Sequence, residues 1–237
     1  MNTRSAPKNV VRAARFSLLA LAAAGLCAAG CASELEPHSD FARDGQDTEW
    51  LGGADKPPTP KTLYAMARIL IAKGREPEAD FMLRKILQEH PHFMPAYVEL
   101  AEMHMRHRRV EPAVAVLNAG LAFSPRDPVL LNDIGMCWMV KGDYGRGLTM
   151  FKQAAAAMPA NARYRGNMAL ALGMMGRYEE SLALYEQLLT PADAHDNLAV
   201  ICEARKDFER AAEERATASE LRAADAQAKG QAAPPKT

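Results

Sequence analysis

The feature that most constrains this chain is a period of 34 residues. Sliding the sequence by that step sets Ala67, Ala101, Gly135 and Ala169 in one small-residue column. Met66, Leu100, Ile134 and Met168 form the apolar column just before it, and Leu70, His104, Trp138 and Leu172 stand four residues after those. Gly74, Arg108, Gly142 and Gly176 mark a turn. Ala79, Ala113, Gly147 and Ser181 then give a second small column, and Leu83, Leu117, Phe151 and Tyr185 a large one. Pro91, Pro125 and Pro159 close three of the units. Such a period is the signature of a helix-turn-helix solenoid, in which hairpins too small to bury their own apolar faces stack into a continuous core.

The third unit shows the physics. Leu131, Ile134, Gly135 and Trp138 stand at i, i+3, i+4 and i+7 and share one helix face. Gly142-Asp143 ends that helix. A second run turns Gly147, Phe151 and Ala154 inward until Pro159 stops it. The two glycines fall on the buried seams, where a missing side chain allows close approach. These residues resemble the tetratricopeptide repeat (TPR), W-x2-L-G-x2-Y…A-x3-F…P. The resemblance spans about residues 60 to 220. It implies an all-α, right-handed superhelical TPR solenoid of four to five helix-turn-helix repeats with a C-terminal capping helix.

The departures are local. His104 stands in an aromatic or aliphatic column, and Arg108 stands at a turn glycine. Asn197-Leu198-Ala199 follows Asn167-Met168-Ala169 by only 30 residues, so the fourth unit is short and its second helix should end early, near Pro191. Pro77 and Pro112 fall in the first turn of second helices, where proline is tolerated. The last helix, Phe208 to about Lys229, is Ala-rich and charged, as a terminal cap should be. The repeat domain is expected over 60–221, with the end of the cap and a tail over 222–237.

Ahead of it, residues 1–31 read as a targeting segment. Arg4, Lys8, Arg12 and Arg15 precede an apolar stretch, Phe16 to Gly30, too short to span a bilayer. Ala28-Ala29-Gly30-Cys31 resembles the bacterial lipobox, although Ala28 stands where leucine is usual. That resemblance implies lipidation (palmitate) at Cys31 and a membrane tie through the lipid. Ala32, in place of Asp, then favours an outer-membrane lipoprotein facing the periplasm. An ordinary secretory signal with Cys31 incidental is the alternative. Residues 32–59 are polar and without period and read as a flexible tether of about 30 Å root-mean-square span, with Phe41 and Trp50 its only large aromatics. All 29 acidic residues lie beyond Cys31, whereas four of the 29 basic ones precede it, so the exported chain is net acidic and nucleic acid is not an expected partner.

Chemistry is sparse. Cys137 and Cys202 sit two units apart, too far to bridge, and read as buried free thiols. His104-x2-His107 lacks further ligands for zinc, and no nucleophile motif, phosphate loop or H-E-x-x-H helix appears. No enzyme, metal or cofactor is expected.

What remains is a surface. The free face of the first helices carries Met105, Met136, Met139, Val140, Leu170, Met174 and Val200, an adaptable apolar strip ringed by Arg68, Glu102, Arg106, Arg163 and Glu203. Packing between helices is the other use for these methionines. Asp133, Asn167 and Asn197 occupy one repeating slot and resemble the asparagine ladders with which some TPR proteins hold an extended peptide backbone. Bonding between neighbouring helices is the plainer use. Arg163, one turn before Asn167, is placed to meet a carboxylate, but the full two-carboxylate clamp of chaperone-binding TPRs is incomplete. The run from Gly166-Asn167-Met168-Ala169 through Gly176-Arg177-Tyr178 to Asn197-Leu198-Ala199-Val200, with the short fourth unit, is similar to the TPR lipoprotein of tight-adherence (Flp) pilus systems. That implies a partner protein or peptide segment, a secretin or pilus component, and a part in assembling or localising the outer-membrane machine. A TPR lipoprotein scaffold of another envelope pathway, outer-membrane protein assembly or cell-wall remodelling, is the alternative.

Overall fold

The computed structural model describes residues 57–231. The targeting segment, Cys31, nearly all of the tether and the end of the tail lie outside the described residues. Ten helices follow one another: α1 Pro60–Ala72, α2 Glu76–Glu89, α3 Met94–Arg106, α4 Val110–Leu121, α5 Pro128–Lys141, α6 Tyr144–Ala157, α7 Ala162–Met174, α8 Tyr178–Glu186, α9 Pro191–Ala204 and α10 Phe208–Gln231. They pair as five antiparallel hairpins, and the second helix of each hairpin packs on the first helix of the next. This is the solenoid that the period demands.

Each hairpin turns in the same way. The amides of Arg75, Arg109, Asp143, Arg177 and Asp207 donate to the carbonyls of Leu70, His104, Trp138, Leu172 and Cys202, five residues back, at 2.8–3.0 Å. That closure puts the residue before each donor in the left-handed region. Gly74, Gly142 and Gly176 adopt it without strain, at φ of 72°, 82° and 83°. Arg108 (φ 55°) and Lys206 (φ 65°) are forced into it, because the hairpin geometry is fixed by the packing of its two helices. The turn position of the fifth unit, Lys206, is thus a member of the Gly/Arg column.

The seams are as tight as the small columns require. A Cβ on Gly135 would stand 2.5 Å from the Phe151 ring, and one on Gly147 would stand 3.1 Å from the Met139 sulfur. Leu83, Leu117, Phe151 and Tyr185, the large column, are all essentially fully buried. The fourth second helix, α8, has nine residues where α6 has 14. Thr190 then caps α9, accepting from the Asp193 amide at 3.2 Å, with Pro191 in the first helical turn.

The capping helix is held by charge as well as by Ala211 and Ala218. Glu214, 4% exposed, accepts from Arg210 Nε at 2.7 Å and meets His195 Nδ1 at 2.5 Å. Arg222 reaches back to Asp193 and Asp196 at 3.2 and 2.5 Å, tying α10 to the start of α9. Cys137 and Cys202 are free and buried, and burial pushes the Cys137 thiol up to about 12.

Candidate binding groove

First helices of neighbouring units touch one another, α3 with α5 and α7 with α9, whereas second helices make no comparable contact. The solenoid therefore bends toward its first helices, and they line the inner surface. Side-chain bridges reinforce that side. Tyr64 on α1 donates to Glu99 Oε2 on α3 at 3.0 Å. Two units further on, Asn167 on α7 donates to Asn132 Oδ1 on α5 at 2.7 Å. Both pairs are 35 residues apart and occupy the same two repeat positions. Asn132, 1% exposed, passes the chain on by donating to Asp133 at 3.0 Å.

This arrangement divides the residues expected in the groove. Met105, Met136 and Val200 are half-buried, Val140 is 39% exposed, and Arg163 is exposed. Met139, Leu170 and Met174 are instead core residues, exposed by 1%, 2% and 8%. Met139 fills the seam over Gly147, and Leu170 and Met174 join Phe151, Tyr185 and Ile201 in one apolar cluster, where α9 closes on α7 across the short fourth unit. The asparagine ladder is corrected at Asn197. Asn167 is used between helices, and Asn197, 2% exposed, donates to the carbonyl of Asp193 on its own helix at 3.0 Å. Asn132 and the Tyr64–Glu99 pair were not singled out from sequence. The signal for them was the shared 35-residue spacing between two columns.

The rim is charged and partly self-paired. Arg68 stands 3.8 Å from Glu99, Arg106 3.3 Å from Glu76, and Glu203 2.7 Å from Arg215. Burial pushes the Asp133 carboxyl up from its ordinary value, against the opposing bond from Asn132 and the field of Arg163. Loss of water, together with Glu99 and Asp133, does the same to Glu102. Burial beside Glu99 raises the Tyr64 phenol to about 12. On the same inner side Gly166, in the body of α7, would meet nothing within 4 Å if given a Cβ. His104 and His107 part company: His104 is half-buried and its pKa is lowered by desolvation, while exposed His107 meets Glu76 at 2.5 Å. Among the described residues no group of three or more His, Cys, Asp or Glu is placed to hold a metal ion. What the surface can do is bind: apolar side chains stand open in the middle units between carboxylates that lack a strong counter-charge.

A tetratricopeptide repeat family profile matches residues 70–132. MamA from Desulfovibrio magneticus superposes with a TM-score of 0.55 at 19% identity, over 70% of this chain and 96% of that one. A thermophilic TPR protein of Thermus thermophilus gives 0.51 at 20% identity, over 68% and 91%. A tetratricopeptide repeat protein from Parabacteroides merdae gives 0.57 at 18%, over 67% and 64%. A comparison with curated proteins gives no significant match. At these identities the likeness is one of fold: the chain folds as a TPR solenoid.

Proposed function

We propose that this protein is a non-enzymatic scaffold that grips a segment of another protein along the inner face of its first helices. One observation carries the reading. On the first helices that line the inner side, Val140 is exposed and Met105, Met136 and Val200 keep part of their surface open while packing on the core, and Arg163 and Glu102 are exposed on the same helices. Methionine-rich open surfaces accept varied apolar partners. The finer reading rests on sequence. The apolar segment ending at Cys31 supports export and a lipid anchor at the outer membrane, facing the periplasm. The run from Gly166 to Val200 supports a role in assembling or localising the secretin of a Flp-type pilus or related machine. A scaffold of another envelope pathway shares all but that last support.

The test is capture from detergent-solubilised envelopes with the full chain as bait, read by mass spectrometry, beside a Met136→Asp/Val140→Asp bait. A secretin or pilus component held by the native chain and lost by the variant supports the proposal. A porin-assembly or cell-wall component lost in the same way keeps the scaffold and removes the pilus. Equal capture by both baits removes the groove.

A further inference from the structure

On every first helix the third, seventh and tenth repeat positions form a stripe one turn apart that faces the preceding hairpin. In α3 the stripe is Ala96, Leu100 and Met103, in α5 Leu130, Ile134 and Cys137, and in α9 Ala194, Leu198 and Ile201, none more than 6% exposed. The second helix of the unit before covers each of them. In α1 the same stripe is Thr62, Met66 and Ile69, and no described helix lies over it: Met66 is 47% and Ile69 55% exposed. The other end of the solenoid is finished differently. There the outer face of α10 presents Glu209, Glu213 and Glu220 to water. The far end is mostly charged, with Phe208 of α10 exposed beside those glutamates, whereas α1 exposes apolar side chains at positions that the other first helices bury, Met168 of α7 being half-buried.

We propose that the chain covers this face itself, with Trp50 and Leu51 packing on Met66 and Ile69 in place of the missing preceding helix. Size selects this occupant. Two half-exposed side chains offer a patch far below the roughly 800 Å² per partner of a stable interface between separate molecules. A segment on a short linker needs no such area, because its effective concentration is in the millimolar range. Trp50 and Leu51 are the only adjacent pair of large apolar residues between Cys31 and Pro60. The eight residues from Gly52 to Thr59 span up to about 28 Å. Ile69 lies only about 14 Å along α1 from its start, so the reach suffices even after the chain reverses. Gly52-Gly53 and Pro57-Pro58 are turn-forming pairs that allow the reversal. A tryptophan brings the largest apolar surface of any side chain to so small a target. The tether beyond this cap then runs from Ala32 to Glu49.

Trp50 and Trp138 are the two tryptophans of the chain, so Trp138→Phe leaves Trp50 as the sole reporter. In full-length Trp138→Phe protein, Trp50 should emit to the blue of free tryptophan and resist acrylamide, independently of protein concentration. Adding Met66→Asp and Ile69→Asp should shift it to the red and raise the quenching constant at least twofold, with helicity unchanged. Trp50 freely quenched from the outset, shielded whether or not the aspartates are present, or shielded only at high concentration would overturn the proposal. A second measurement needs no change at Trp138. Hydrogen exchange along α1 should quicken several-fold in Trp50→Asp relative to the native chain, and identical exchange would count equally against the cap.

Discussion

Gly135 and Gly166 stand inside helices of adjacent units, and the same substitution should act on them with opposite sign. Replacing a helix-interior glycine by alanine favours the folded state by about 1 kcal/mol, because alanine has fewer unfolded conformations to lose. At Gly166 nothing lies within 4 Å of the new methyl, so Gly166→Ala should keep that whole gain and raise the melting temperature by about 2–4 °C. At Gly135 the methyl would stand 2.5 Å from Phe151 Cε1 and 2.7 Å from Cδ1. Phe151 is fully buried and has no room to swing away. Overpacking of this kind costs about 1–3 kcal/mol. Set against the propensity gain, Gly135→Ala should be neutral to destabilising by about 2 kcal/mol, leaving the two variants about 1–3 kcal/mol apart. Urea unfolding followed by circular dichroism measures both midpoints, and equal slopes would show that the comparison is one of stability alone. If Gly135→Ala stabilised the protein as much as Gly166→Ala, the seam would not be closed by contact, and the small columns would need another explanation.

Four further substitutions test three separate features. Arg108→Gly, and Lys206→Gly with it, should each stabilise by about 0.5–1 kcal/mol in thermal melts, since both exposed residues are held at positive φ where only glycine is unstrained. Tyr185→Phe should be neutral or stabilise by about 1 kcal/mol, because the Tyr185 hydroxyl is buried without a partner; a loss of stability would show that the hydroxyl is bonded after all. Asp133→Asn should stabilise at neutral pH and do little near pH 3. Burial raises the folded-state pKa of Asp133 above its unfolded value, so ionisation opposes folding; the penalty is complete above the raised pKa and fades as pH falls through it. Melting curves at both pH values decide, and a stabilisation that persisted in acid would place its origin elsewhere.

The fold was legible because a 34-residue period is a statement about packing. Gly135, Phe151 and Pro159 each carry a steric reason, and a shift of four residues at the fourth unit could be read directly as a shortened α8. The groove was legible only in part. Repeat position assigns a residue to a helix face but does not say how far the next unit overlaps that face. Met139, Leu170 and Met174 have the same character and spacing as the half-buried Met136 and the exposed Val140, and only the depth of each joint separates them. Asn197 failed as a ladder residue, and Asn167 is engaged through one amide N–H, for a related reason. An amide that can bond a ligand can equally bond Asn132 or the Asp193 carbonyl, and the helix already beside it takes precedence.

The short fourth unit links these outcomes. Once α8 stops at Glu186, α9 starts early and settles against α7, so the apolar residues of α7 are consumed in the core and the remaining accessible strip lies chiefly on α3 and α5. Glu102 and Asp133 flank that same strip, and both carboxyls are held above their ordinary values by loss of water, with no strong ion pair to relieve them. A carboxylate in that condition gains most from an incoming cation. If the proposed groove is the binding surface, a segment that sets apolar side chains against Met136 and Val140 and a lysine or arginine near Glu102 and Asp133 should be captured better than the same segment with those cations replaced by glutamate. On the same reading, moving that cation to the segment end that meets Arg163 on α7 should weaken capture.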